Sequence, residues 1–315
     1  MTKDIFEIAK NAEAATIETA QYKQALEDFD WIIQLKKIAN QTRGIVMTGQ
    51  SGVGKTKILQ SVVAKYPPVN ERNRLRHQVI MFGMPANPTI SGLCKSILDR
   101  LEQPYPAKCP EADLTRLVKI AIKGIEPYLL IIDEAQHLIE GNRLQKKAAQ
   151  TADWVKQLMN DTGVSIALVG MPNTEILTEK NDQLRRRFSR RRVIKPYKAD
   201  RKGERERLLN AIKALLAEFG YEGDSSFIEK PTPLKRLCIA TDGRLGLIVP
   251  LLIEAIRLSF DENNSALTEN HFFNAFENEI WSQAKEVQNP FSKQFSKRSL
   301  KDMGEPFVEY QGGLC

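Results

Sequence analysis

Short uninterrupted apolar runs alternate along the chain with longer stretches in which apolar residues return every three or four positions. Gly44 to Thr48, Val79 to Phe82, Leu129 to Ile132 and Val164 to Val169 are runs of the first kind and predict short buried strands, with Val193 and Ile194 as a candidate fifth. Between them, four groups recur at helical spacing: Ile58, Leu59, Val62 and Val63; Leu93, Ile97, Leu98 and Leu101; Leu114, Leu117, Val118 and Ala121; and Trp154, Val155, Leu158 and Met159. Strands that are apolar throughout need cover on both faces, and helices between consecutive strands supply it. The prediction is an α/β fold with a doubly wound, mainly parallel five-stranded sheet.

The flanks differ. Ile5 to Ala39 reads as a helical lead-in, with Phe29, Ile32, Ile33 and Leu35 as its apolar face. After Pro196 the strand signal stops and only helical stripes remain. Leu208, Leu209, Ile212, Leu215, Leu216 and Phe219 run up to Gly220 as a stop. Leu247 to Ile256 form a second stripe, and Phe272, Phe273, Phe276 and Ile280 a third behind Thr268 as N-cap. From Glu286 the periodicity ends, which predicts a flexible tail. The expected division is a lead-in over 1–43, an α/β core over 44–199, a helical lid subdomain over 200–285 and the tail over 286–315.

Composition narrows the class. With 315 residues and 42% hydrophobic content there is material for a large core and a smaller one. No apolar run approaches the roughly 20 residues of a membrane span, and the first residues lack the pattern of a signal peptide, so a cytoplasmic location is expected. Cys94, Cys109, Cys238 and Cys315 form neither a zinc spacing nor a disulfide framework. The net charge of +7 is uneven: Arg185 to Arg205 holds eleven Arg or Lys against Asp200 and Glu204. Such a run fits a polyanion or an acidic partner, or equally a solvated face.

The chemistry concentrates at strand ends. Gly49, Gln50, Ser51, Gly52, Val53, Gly54, Lys55 and Thr56 complete a phosphate-loop pattern between a predicted strand and a predicted helix. Glycines let main-chain N–H groups close around phosphate oxygens, and the helix N-terminus adds a favourable dipole. Lys55 then reaches the β- and γ-phosphates of ATP, and the Thr56 hydroxyl ligates Mg²⁺. Downstream, Leu129 to Ile132 delivers Asp133 and Glu134 to the C-terminal end of a strand, where open α/β sheets bind ligands. Asp133 is the expected second holder of Mg²⁺ and Glu134 the general base for water, so the expected reaction is ATP and water to ADP and phosphate.

Three further positions follow from placement. Asn173, just past the fourth strand in "VGMPNT", is a candidate sensor of the γ-phosphate, with Thr174 as its alternative and plain turn chemistry as the competing reading. Of Arg185, Arg186 and Arg187, the last is favoured as an arginine finger supplied to a neighbouring subunit, because Phe188 beside it is expected to be buried, with a solvated face as the equal competing reading for each. Arg244, in "DGRLG" at the start of a lid helix, is a candidate for reporting the nucleotide to the lid.

In that order, "GQSGVGKT", "LLIIDEAQHL", "LVGMPN", "QLRRRF" and "DGRLG" resemble the AAA+ family of P-loop NTPases, and more narrowly its TnsC/TniB type of transposition regulator. The resemblance covers about Phe29 to Lys285 and includes "NPF" at Asn289 to Phe291. It implies an ATP-dependent protein that forms homo-oligomeric rings or filaments on double-stranded DNA without reading its sequence. It also implies a link from a target-selection protein to the transposase, and clearance by hydrolysis. By the same resemblance, DNA would meet "GMPANPTISGLCKS" and "YPAKC", with Thr89, Ser91, Lys95 and Lys108 as contacts. Read from the residues alone, Thr89 or Ser91 serves equally well as a helix cap.

Other functions compete. Initiator, clamp-loader and repair ATPases share these motifs but often add a DNA-binding module, and none is legible after Phe219. A secretion-type assembly ATPase would carry a membrane span. An ATP-gated scaffold would not need Glu134 as a base. The aromatics Phe291, Phe295, Phe307 and Tyr310 in the tail fit a segment that folds onto a partner protein, or equally a disordered tail with no ligand.

Overall fold

The computed structural model describes residues 2–71, 74–84, 89–139, 144–179, 182–262 and 266–308. Two compact units emerge: Ala20–Gln50 with Lys55–Ile194, and the residues up to Thr19 with Ser51–Gly54 and everything from Lys195 onward.

In the first unit the strands are β1 (Gly44–Thr48), β2 (Val69–Glu71), β3 (Arg74–Arg76), β4 (Val79–Gly83), β5 (Leu129–Asp133), β6 (Ser165–Gly170) and β7 (Arg190–Val193). Its helices, numbered from a first one in the other unit (α1, Thr2–Ala14), are α2 (Ala20–Ala39), α3 (Lys55–Lys65), α4 (Ile90–Arg100), α5 (Glu111–Ile125), α6 (Leu144–Thr162), α7 (Ile176–Glu179) and α8 (Asp182–Arg187). Five strands form one sheet in the order β4-β5-β6-β1-β7, and every neighbouring pair is parallel. The order is the reason the chemistry converges. β1 sits between β6 and β7 with Thr48 opposite Gly170 and Val193, so the turns leaving β1 and β6 open side by side, with β5 next in line. All residues of β1, β5 and β6 are buried, as expected of strands covered on both faces. β2 and β3 form a separate antiparallel pair.

The fifth strand starts earlier than the apolar pattern predicts. β7 is Arg190–Val193, and Ile194 lies just past it, bonded through its N–H to Thr48 O at 2.7 Å. Three arginines can occupy a strand here because it is the sheet edge and each has a carboxylate within reach. Arg190 and Arg192 both bind the buried Asp28 of α2, while Arg191 meets Glu175 at 3.4 Å and Glu179 at 3.5 Å on the opposite face.

The second unit is helical: α1, α9 (Lys202–Phe219), α10 (Ser226–Glu229), α11 (Pro231–Ala240), α12 (Leu245–Asp261) and α13 (Glu269–Glu279). Its core joins Leu208, Ile212, Leu215 and Phe219 to Ile248, Leu251, Leu252, Phe272 and Phe276. α9 ends at Gly220 in the left-handed region, and Thr268 caps α13 through His271, as expected from sequence.

Two differences from the expected division stand out. The lead-in is two helices rather than one, interrupted at 15–19, where the β-branched Thr16, Ile17 and Thr19 disfavour helix. α1 belongs to the helical unit through Ile8 and Ala12, and α2 to the sheet unit. The aperiodic stretch after Glu286 is a packed strap up to residue 308, in contrast to the expected flexible tail. Phe291 is 1% exposed and stacks on Phe272 with ring centroids 5.2 Å apart, and Phe295, Leu300 and Phe307 are buried beside it. Asn289 fixes the entry: its amide donates to Phe273 O and its carbonyl oxygen accepts the N–H of Phe291, both at 3.0 Å. Tyr310 and Cys315 lie outside the described residues.

Candidate functional site

The loop from Gly49 to Thr56 leaves the centre of the sheet and enters α3. Gly52 and Gly54 hold φ at 79° and 99°, a region that side chains with a Cβ avoid, and this lets the loop turn before Lys55 starts the helix. Lys55 is buried, and its ammonium donates to Gly49 O at 2.8 Å and Gln50 O at 3.0 Å. Burial pulls its pKa below the usual lysine value, while Glu134 and Asp133 act in the opposite direction. Thr56 stands exposed at the next position.

Asp133 ends β5 and is 6% exposed. Burial raises its pKa; the N–H of Glu134, donated to Asp133 Oδ1 at 2.9 Å, and the charge of Lys55 oppose that rise. Glu134 itself sits at φ 56°, a strained position for a residue with a side chain. Two carboxylates and a buried ammonium are thus electrostatically linked at the C-terminal ends of β5 and β1, on either side of β6, where an anionic substrate and a cation would complete the charge balance.

Beyond β6, Pro172–Glu175 forms a 3₁₀ turn. Asn173 is exposed on it, whereas Thr174 is fully buried and its hydroxyl has no hydrogen-bond partner among the described residues. Glu175, from the same turn, accepts the hydroxyl proton of Thr48 at 3.0 Å and also meets Arg191, which ties the last residue of β1 to β7.

Of the expected arginines, three lie on α8 and one, Arg244, lies in the helical unit beside Gly52 of the phosphate loop. Arg187 closes α8 and bonds the Asn160 side chain, Arg185 pairs with Asp182 at 2.9 Å, and Arg186 is exposed. In the helical unit, Arg244 is the N-cap residue of α12. Its guanidinium binds Asp242 at 2.7 and 3.2 Å and lies over the Phe307 ring, 5.6 Å from its centroid.

Of the residues expected to face DNA, Thr89 caps α4 by accepting the N–H of Gly92 at 3.0 Å, and Ser91 donates to Glu111 at 3.2 Å. Lys95 lies 6.0 Å from the Tyr105 ring centroid, and Lys108 is exposed between α4 and α5. Residues 85–88 of the same segment are outside the described residues. The arginine-rich run is partly neutralised at home, since Arg190, Arg191 and Arg192 are all paired.

One residue of the site was not anticipated. Gln136 is 4% exposed in the 3₁₀ turn Ala135–Ile139 and touches both Glu134 and the end of β6. A polar residue inside "EAQHL", two positions after the acidic pair, was the available signal.

Solved structures share this fold. Cdc6p from Pyrobaculum aerophilum superposes with a TM-score of 0.63 at 13% identity, over 86% of this chain and 70% of that one. The Aeropyrum pernix ORC2 protein gives 0.58 at 15% identity, over 83% and 68%. The Aeropyrum pernix ORC1 protein, solved in complex with DNA, gives 0.55 at 13% identity, over 82% and 64%. Among curated proteins no sequence matches. The sheet order, with a phosphate loop after β1 and Asp133 and Glu134 at the end of β5, gives this chain the AAA+ fold of P-loop proteins. More narrowly, residues 7–198 match the family described as "Bacterial TniB protein", and the chain belongs to the TniB family.

Proposed function

We propose that the chain hydrolyses ATP to control its own assembly on double-stranded DNA, as a transposition regulator. The observation that carries the reading is the linkage of Lys55 with Asp133 and Glu134 at the mouth of the sheet, in a chain of the TniB family. Gly49 to Thr56 wrap the phosphates, Lys55 leaves its loop carbonyls for the β- and γ-phosphates, and Glu134 takes the proton of the attacking water. Asn173 or Thr174 faces the γ-phosphate.

Mg²⁺ fits the donor set. The Thr56 hydroxyl and the Asp133 carboxylate are hard oxygen donors, and the charge of Asp133 is left under-compensated by burial. A bound Mg²⁺ would neutralise phosphate charge there.

Arg187 is the proposed finger offered to a neighbouring copy, with Arg185 and Arg186 as alternatives, and Arg244 reports the nucleotide from the lid. Thr89, Ser91, Lys95 and Lys108 are the proposed phosphate contacts on DNA, where they would hold position without reading sequence. The partners are a transposase and a target-selection protein, in the cytoplasm. Among the described residues no helix is long and apolar enough to cross a membrane.

The likeness to Cdc6p and to ORC1, the latter solved with DNA, favours a second reading as an initiator-type DNA ATPase. Sedimentation and negative-stain imaging on non-specific duplexes of increasing length separate the two. Rings or filaments that form with ATP, fail with ADP or with Lys55→Ala, and grow with duplex length support the regulator. A fixed small stoichiometry independent of length favours the initiator type, and indifference to DNA removes both.

A further inference from the structure

The side chain of Gln136 is held at both ends. Its Nε2 donates to Glu134 Oε2, and its Oε1 accepts the main-chain N–H of Met171 at 2.9 Å. The assignment of the two amide atoms follows from chemistry: an N–H needs an acceptor and a carboxylate needs a donor, so only this orientation satisfies both. Met171 is the residue that leads from β6 into the turn carrying Asn173 and Thr174.

The surroundings are shaped around this bridge. A Cβ on Gly170 would fall 2.3 Å from Gln136 Oε1 and 2.5 Å from Thr174 Oγ1, so the absence of a side chain at 170 is what admits both groups. A nearly fully buried amide costs free energy unless its polar atoms are satisfied, and a leucine or methionine would fill such a space without that cost. A glutamine is therefore explained by what its two ends hold.

We infer that Gln136 is a positioning residue for hydrolysis, bridging the Glu134 carboxylate and the Met171–Thr174 turn so that the base and the turn beside the γ-phosphate keep one fixed relationship. The inference rests on the reading of Glu134 as general base. It adds an element that neither the phosphate loop nor the acidic pair supplies. Glu134 follows the end of β5 in a strained backbone conformation with its carboxylate held by Gln136, and misplacement of a reacting group by about 1 Å can cost on the order of 100-fold in rate.

Two substitutions test it in the full-length protein, assayed for steady-state ATP hydrolysis with duplex DNA present. Gln136→Leu removes both ends of the bridge. Gln136→Glu keeps an acceptor for the Met171 N–H but sets a carboxylate against Glu134. Both are expected to lower kcat about 10- to 100-fold while KM for ATP stays within about twofold and the melting temperature stays near wild type. Gly170→Ala, whose Cβ would press on both Gln136 and Thr174, is expected to lower kcat as well. Full activity in Gln136→Glu, whatever Gln136→Leu does, overturns the inference, because the residue would then act only through Met171. A rise in KM that accounts for the loss overturns it too. If wild type does not hydrolyse ATP with DNA present, the ATPase reading itself fails and takes this inference with it.

Discussion

Asp133 turns one carboxylate oxygen back onto the main-chain N–H of its neighbour Glu134, at 2.9 Å, while burial raises its pKa. Because the folded carboxyl keeps its proton to higher pH than the unfolded one, this group favours the folded state at low pH. That contribution is lost as pH rises through the folded pKa. Asp133→Asn, which retains an oxygen for the Glu134 N–H, should therefore raise the melting temperature of the nucleotide-free protein at pH 8. The gap should close as pH falls. Paired thermal melts across pH check the sign, and a variant that melts below wild type at pH 8 would contradict it.

Lys55 rests on the carbonyls of Gly49 and Gln50, the loop that is to hold phosphate. Lys55→Ala should lower hydrolysis by at least about 100-fold, since one preorganised charge on the transferring phosphoryl group is being removed. Phosphate release with and without duplex DNA is the measurement, and retained turnover would remove the phosphate-loop assignment.

Arg187 bonds Asn160 within its own subunit, an exposed contact that a neighbour's phosphate can replace at little cost. Arg187→Ala should lower hydrolysis by about 10³-fold in the assembled state, as loss of an arginine finger does. Mixing it with Glu134→Gln, which keeps its own arginine, should restore part of the rate. If mixing restores nothing, the finger does not act between subunits, and Arg185 and Arg186 are the next substitutions.

Phe291 joins the strap to the helical unit by stacking on Phe272. Truncation to alanine leaves a cavity in a closed core, and Phe291→Ala should cost about 3–5 kcal/mol. Denaturant unfolding measures it; a loss under 1 kcal/mol would mean that the strap collapses onto the gap with little penalty.

Burial pushes the thiol of Cys94 up to about 11 and that of Cys238 up to about 12. Alkylation requires the thiolate. Both residues should stay unmodified by iodoacetamide at pH 8 in the native protein and react on unfolding, as read by mass spectrometry. Native labelling of Cys238 would mean that its part of the helical unit opens readily.

What the sequence made legible was what repeats or what chemistry forces. β1, β5 and β6 were marked by runs apolar on both faces, and Gly49 to Thr56 by a spacing that few other structures require. β7 was displaced in the prediction because its arginines carry no apolar signal. Their suitability depends on Asp28, Glu175 and Glu179, which are remote in sequence and near only after folding. The strap was missed for a related reason: it is held by isolated aromatics and by the two-ended side chain of Asn289, and neither has a period. Gln136 was passed over because a polar residue two positions after Glu134 looks ordinary until Gly170 and Met171 are brought against it.

The arginines of β7 also bear on how this molecule stays separate from its copies. A sheet edge offers unpaired main-chain groups to any passing strand, and a flat apolar edge invites fibrous growth. Here each guanidinium is held by a carboxylate of its own unit, so the edge presents ion-paired, hydrated side chains on both faces in place of a flat apolar surface. The strand is thus defended against edge-to-edge pairing with a second copy. Concentrated protein should accordingly stay free of edge-to-edge β-aggregates.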